Sequence, residues 1–300
     1  MGRWSVDISG GAFSGWRRKL LTVMLPVLLA PVLGSGKALS AETALERIRR
    51  TGVVRIGYAP EPPFSFRLPD GRLTGSGPEV ARRVFTAMSV SEIQGVESEF
   101  GTLIRDLTAG RFDVIANGMS VLPGRCRDVA FSEPFFKASV GFAVRPGNPA
   151  NLHGFDDVAA SPSVRLGVVA GAVELNYARE SGVDERQLVL FPDAAAAAGG
   201  VKAGRVDAFA AMGVTVQDLV RRSPRQLERA DPFRNPVIGG RSFLDHGGFG
   251  FRPGDAELRE VFNRHLLDLL RSPGYIALIE PFGFTRADLP DRTTAELCAP

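Results

Sequence analysis

The chain has 300 residues, 44% hydrophobic and 23% charged, with a formal net charge of +3. That length suits about two domains, and the composition is that of a globular protein with apolar residues enough for a large core. The positive excess lies in residues 1–41, where Arg3, Arg17, Arg18, Lys19 and Lys37 outweigh Asp7; the rest of the chain is slightly acidic and offers no basic stripe for nucleic acid.

Residues 1–41 read as an export signal peptide. Trp16-Arg17-Arg18-Lys19 is the charged segment, Leu20–Leu33 the apolar core, and Ala38-Leu39-Ser40-Ala41 the small-residue cleavage site. The core is too short to span a bilayer, so the expected location is periplasmic. The Arg17-Arg18 pair leaves both the general and the twin-arginine export routes open. Two cysteines remain, Cys126 and Cys298, and an exported chain permits a disulfide between them. The competing reading is a buried Cys126 and a free thiol on a loose tail.

After a short helix at Glu42–Arg50, Val53–Tyr58 is the first strand. Ala59–Phe64 holds three prolines, which fix φ and remove donors, so it reads as a stiff loop at the strand's end. Pro78 opens a helix with Val80, Val84, Phe85 and Met88 on one face, and Leu103, Ile104 and Leu107 mark another. Strand Phe112–Ala116 then runs out into Asn117-Gly118 and a polar turn. Arg125 follows at what reads as a helix start, where its planar fork suits a carboxylate; the alternative is an arginine capping a turn. The alternation of strand and helix is α/β.

Three segments recur. Val54-Arg55-Ile56-Gly57 returns as Val164-Arg165-Leu166-Gly167, and Ala109–Asp113 as Ala203–Asp207. Gly141–Asn148 returns as Gly248–Asp255, each with a Gly-Phe-x-x-Arg-Pro-Gly pattern. The first two echoes predict two similar lobes. The third predicts that Gly141–Arg145 and Gly248–Arg252 pair side by side as a two-strand hinge. The expected division is 42–143 plus 249–300 for lobe one and 144–248 for lobe two. Within lobe two, Val164–Val169 is a strand, Ala170-Gly171-Ala172 a turn and Val173–Ala178 a helix. Leu188–Phe191 is a strand, and Asp193 caps the helix Ala194–Lys202.

No phosphate-binding loop, nucleophile elbow or zinc motif occurs, and His153, His246 and His265 are scattered, so neither metal nor cofactor is expected. A cleft between the lobes, open at the strand ends, is the expected site. Its candidates are Glu61, Phe64, Phe100, Asn117, Gly118, Ser120, Arg125, Ala172, Val173 and Asp193. They combine a holder for a cation, a holder for a carboxylate and aromatic walls, a set that suits a small zwitterion.

Taken together, these residues resemble the periplasmic substrate-binding proteins of amino-acid-type ABC transporters (family 3). The resemblance rests on Val54–Phe64, the repeated Ala-Gly-Arg-x-Asp, Asn117-Gly118-Met119, Pro123-Gly124-Arg125, Phe131–Phe136 and Asp193, and covers nearly the whole mature chain. Within the family it looks closest to the ectoine/hydroxyectoine-binding proteins, on Glu61–Phe64, Gly167–Gly171, Phe191-Pro192-Asp193, Thr215–Leu219 and Glu280–Thr285. The resemblance implies a two-lobe periplasmic-binding-protein fold (type II), a ligand in the interlobe cleft and a permease partner. It also implies a monomer and no enzymatic activity. Glu61, Phe64 and Phe100 match the positions that hold the ligand's ring cation, Arg125 the carboxylate arginine, and Asp193 the helix-start acid of lobe two. Two positions depart: Ser120 stands where an aromatic wall is expected, and Ala172 where a hydroxyl would meet the carboxylate. A dehydratase on the same fold would need a general acid. Glu61 is the one obvious candidate, and a cation partner explains it better.

Overall fold

The structure, a computed structural model, describes residues 42–238 and 241–299, so the export signal lies outside the described residues. Lobe one opens with α1 (Ala44–Thr51), β1 (Val53–Tyr58), the hairpin β2 (Phe66–Arg67) and β3 (Leu73–Thr74), α2 (Ser76–Ala87) and β4 (Glu92–Glu97). It continues through α3 (Leu103–Thr108), β5 (Val114–Ser120), the single turn α4 (Pro123–Cys126), β6 (Ala130–Phe131) and β7 (Phe136–Ala138). Lobe two holds β8 (Val140–Val144), α5 (Phe155–Ala160), β9 (Leu166–Val169), α6 (Glu174–Glu180), β10 (Leu188–Phe191) and α7 (Ala194–Lys202). Next come β11 (Ala208–Met212), α8 (Gly213–Arg222), β12 (Glu228–Arg229) and the hairpin β13 (Val237–Ile238) and β14 (Arg241–Ser242). The chain returns to lobe one as β15 (Asp245–Phe251), α9 (Ala256–Arg271), α10 (Gly274–Ile279) and α11 (Thr294–Cys298).

The two main sheets have the same plan. The first runs β4-β1-β5-β15-β6, and the second β10-β9-β11-β8-β12. In each, three parallel strands are followed by one antiparallel strand, β15 or β8. Both faces of each sheet are covered, which accounts for near-continuous apolar runs. In β5, Val114 and Ala116 pack with Val80, Val84, Phe85 and Phe262, while Ile115 and Met119 pack with Leu103, Leu107 and Phe131 on the other face. In β8, Val140, Phe142 and Val144 face one cluster and Ala143 the other, the period of two expected of a strand.

The duplication extends to ion pairs. Arg55 N–H donates to Asp113 at 3.0 Å, and Arg165 N–H to Asp207 at 2.9 Å. Arg252 lies 3.4 Å from Asp113, and Arg145 lies 3.5 Å from Asp207. Burial alone would raise the Asp113 carboxyl, but Arg55 and Arg47 hold it below its usual value.

This plan overturns the expected hinge. Gly141–Val144 pairs within the second sheet, and Gly248–Phe251 within the first, so the two segments do not pair with each other. They echo one another because they fill the same place in two equivalent sheets. The antiparallel pair at the crossing is instead β7 with the start of β15, in register Asp245↔Ala138, His246↔Lys137 and Gly247↔Phe136. The expected lobe limits at 143/144 and 248/249 shift with it: β8 belongs to the second sheet from Val140, and β15 to the first from Asp245.

Candidate functional site

Strand ends from both lobes meet at an inner cavity of about 20 Å³, lined by Glu61, Phe64, Phe100, Asn117, Gly118, Ser120, Ala172, Val173 and Glu174 with Val169 and Phe209–Met212. A second cavity, about 360 Å³, shares Glu61, Phe100 and Val169 and adds Glu97, Ser98 and Asp193. The inner chamber is much the smaller of the two.

The lobe-one wall is set by Asn117. Its side-chain oxygen accepts from Ala59 N–H at 2.7 Å and from the Ser65 hydroxyl, and its Nδ2 donates to Glu61 Oε2 at 3.2 Å. Asn117 therefore fastens the proline loop to β5 and aims the Glu61 carboxylate; Thr215 of lobe two reaches Glu61 Oε1 at 3.5 Å. Phe64 is both wall and core, 1% exposed and 5.2 Å between ring centroids from Phe136. Gly118, at φ +66°, leaves room for that ring, since a Cβ there would lie 2.6 Å from Phe64 Cδ1. The polar turn expected after Asn117-Gly118 does not begin there: the strand continues through Ser120, because β15 pairs Gly248 with Met119 and Gly247 with Ser120.

Arg125 sits inside one helical turn rather than at the start of a long helix. Its Nη1 donates to the Ser120 carbonyl at 3.0 Å and its Nη2 to the Gly171 carbonyl of lobe two at 2.9 Å. The guanidinium also lies over the Phe100 ring, 5.8 Å from its centroid. Two of the fork's five N–H groups are thus used on carbonyls. Cys126, the next residue, is bonded to Cys298 with Cα atoms 5.8 Å apart, which anchors α11 against α4.

Ala172 and Val173 of lobe two line the inner cavity, but Asp193 does not; it lines the larger one and caps α7, accepting from Ala196 N–H at 2.7 Å. Sequence reasoning missed Glu174, Phe209, Thr215 and Asp245. Glu174 follows Val173 directly, and an acid at a helix start reads as a capping charge until its burial is seen. Thr215 lies in the Thr215–Leu219 run, and Asp245-His246 opens a glycine-rich apolar strand. Asp245, 1% exposed, accepts from the Tyr177 hydroxyl at 2.8 Å, while its other oxygen has no hydrogen-bond partner among the described residues.

Burial pushes the Glu61 carboxyl up to about 7, against Thr215 and Asn117. Burial and then Asp245 push Glu174 up to about 8. Burial also raises Asp245, to about 6, against Tyr177, Ser120 and Arg125. Burial lowers Arg125, against the charges of Asp245 and Glu174. His246 binds Asp291 at 2.8 Å and His153 the Pro232 carbonyl at 2.8 Å. No metal-holding cluster occurs among the described residues.

Residues 54–284 match the family of bacterial extracellular solute-binding proteins, family 3. A probable amino-acid ABC transporter periplasmic-binding protein of Sinorhizobium fredii is 36% identical over 87% of this chain and 88% of its own length. An L-arginine-binding protein of Pseudomonas aeruginosa is 30% identical over 74% of this chain and 83% of its own. The crystal structure of EhuB in complex with hydroxyectoine superposes with a TM-score of 0.79 at 33% identity, covering 86% of this chain and 98% of EhuB.

Proposed function

The chain belongs to family 3 of the bacterial extracellular solute-binding proteins, and from that premise we propose that its interlobe cleft captures a small solute bearing a carboxylate and an organic cation and hands it to an ABC importer. It is a solute-binding protein of an amino-acid ABC transporter; delivery in the periplasm is part of the proposal. No helix among the described residues is long and apolar enough to cross a membrane.

The observation that carries this reading is that Glu61, Phe100 and Ser120 line one chamber, while Arg125 bonds the Ser120 carbonyl and holds its guanidinium over the Phe100 ring. Glu61 and the aromatic faces suit a cation, and Arg125 suits a carboxylate. Within this class, ectoine and hydroxyectoine are favoured by the likeness to EhuB and by Glu61, Phe64 and Arg125. A basic amino acid is favoured by Glu174, a second acid on the cavity wall, and by the likeness to an L-arginine-binding protein.

A thermal-shift panel of ectoine, hydroxyectoine, basic amino acids and neutral amino acids tests the proposal. A ligand with both charges should raise Tm by mass action and be recovered chemically unchanged by mass spectrometry. No shift from any such compound, or recovery of an altered molecule, would contradict it.

A further inference from the structure

The chain passes from β7 to β8 through Ser139, and returns from β14 to β15 through Phe243 and Leu244. On the lobe-one side the two crossing strands are paired, with His246 opposite Lys137 and Asp245 opposite Ala138. Neighbouring side chains of a strand point to opposite faces, so Asp245 and His246 look opposite ways. Both are bonded. The Tyr177 hydroxyl of α6, in lobe two, donates to Asp245 Oδ1 at 2.8 Å. His246 Nε2 lies 2.8 Å from Oδ1 of Asp291, in the segment between α10 and α11 of lobe one. Adjacent residues of one crossing strand are therefore tied to different lobes.

Asp291 holds both crossing strands at once. Its other oxygen accepts from Lys137 Nζ at 2.5 Å, so one carboxylate spans a register pair of β7 and β15. The bonds from Lys137 and then His246 push the Asp291 carboxyl down to about 2, so it stays ionised. The segment that carries Asp291 is fixed to lobe one. Thr294 N–H donates to Glu133 Oε2 at 3.0 Å, the Thr294 hydroxyl to the Ser132 carbonyl at 2.5 Å, and Cys298 is bonded to Cys126. Tyr177 is as firmly set in lobe two, 2% exposed, with its ring centroid 6.4 Å from that of Phe155 and 5.3 Å from that of Phe243.

Hinge motion bends the segments that cross between two bodies. The Asp291 brace makes Lys137 and His246 part of a rigid lobe one. Bending is left to Ala138–Val140 and Phe243–Asp245, on the lobe-two side of the brace. Lobe two then cannot swing away without drawing the Tyr177 hydroxyl off Asp245. With His246 released, the strand could bend beyond it, and Asp245 would travel with Tyr177, the bond intact.

We infer that Tyr177 and Asp291 form a closure latch built into the hinge, Asp291 bracing the crossing strands to lobe one and Tyr177 holding lobe two against them through Asp245. None of Tyr177, Asp245, His246 and Asp291 lines either cleft cavity, so the latch goes beyond the solute reading and acts whichever solute the cleft takes.

Small-angle scattering of the protein without added solute tests the inference, on the wild type, Tyr177→Phe, Asp291→Ala and Arg179→Gln. Tyr177→Phe keeps the packed ring and removes only the bond. Asp291 is exposed and the disulfide still anchors its segment, so both variants should fold. Each loses a hydrogen bond to a charged group, so each should move the open-to-closed ratio about tenfold toward open and enlarge the radius of gyration. Arg179→Gln breaks an exposed ion pair with Glu185, farther along lobe two, and should scatter as the wild type does. A merely structural loss would lower Tm and leave the radius of the folded protein unchanged. An unchanged radius in Tyr177→Phe or in Asp291→Ala, or an equal enlargement in Arg179→Gln, would overturn the inference.

Discussion

Gly171 of lobe two meets Gly101 of lobe one so closely that a Cβ on Gly171 would fall 2.8 Å from the Gly101 Cα. A Cβ on Gly101 would lie 3.0 Å from the Ala170 carbonyl oxygen. The two glycines let the backbones touch beside the bond from Arg125 to the Gly171 carbonyl. Gly101→Ala, at a residue without a positive φ, should hinder closure by about 1 kcal/mol, roughly fivefold in affinity. Stability of the unliganded protein should change little. Calorimetry and small-angle scattering at saturating ligand check this: unaltered affinity and an unaltered bound radius of gyration would refute the close-contact account.

The buried acids set a pH dependence. Glu61, Glu174 and Asp245 are easier to protonate in the fold than in the unfolded chain, where they titrate near 4.5, 4.5 and 3.8. Each contributes stability that is fully present below its unfolded value and is lost as pH rises through about 7, 8 and 6 respectively. Their joint effect is a fall in unliganded Tm between about pH 4 and pH 8. Glu174→Gln removes the upper part of that fall, so the variant should gain on the wild type as pH rises towards 8. A Tm difference that stays constant from pH 5 to pH 8 would contradict the burial of Glu174.

The Cys126–Cys298 bond spans 172 residues of sequence. Closing so long a loop removes chain entropy from the unfolded state worth up to about 5 kcal/mol. The double substitution Cys126→Ser and Cys298→Ser should lower Tm by several degrees and weaken ligand binding, because the turn that carries Arg125 loses its anchor to α11. Thermal melts and calorimetry measure both effects; an unchanged Tm would show that the bond contributes nothing to the fold.

Local signals carried much of this architecture. The apolar stripe of α2, the strand at Val53–Tyr58 and the capped helix at Ala194 depend on neighbours in sequence, and their pattern is visible there. Strand Glu92–Glu97 was not, because its six residues are mostly polar and half-exposed at a sheet edge. The continuation of β5 through Ser120 depends on pairing with β15, more than a hundred residues away, whereas the sequence after Asn117-Gly118 reads as a turn. The same distance effect misplaced the hinge: likeness between β8 and β15 reports equivalent positions, whereas pairing is set by the sheet each strand joins. In the site, Glu61 and Arg125 stand beside prolines and glycines that mark them. Glu174 and Asp245 carry no such flag; Asp245 finds its partner, Tyr177, on the other lobe.

In the proposed complex Arg125 receives the ligand carboxylate in the cleft. Arg125→Ala should cost about 3 kcal/mol or more, roughly a hundredfold in affinity, because a buried carboxylate loses its partner. Arg125→Lys should recover only part, lacking the planar fork. The decisive measurement is calorimetry of the ligand chosen by the thermal-shift panel against its amide, on the wild type and Arg125→Ala. The account predicts that the wild type strongly prefers the carboxylate form and that the alanine variant loses both the affinity and the preference. Near-wild-type binding of the carboxylate by Arg125→Ala would contradict it.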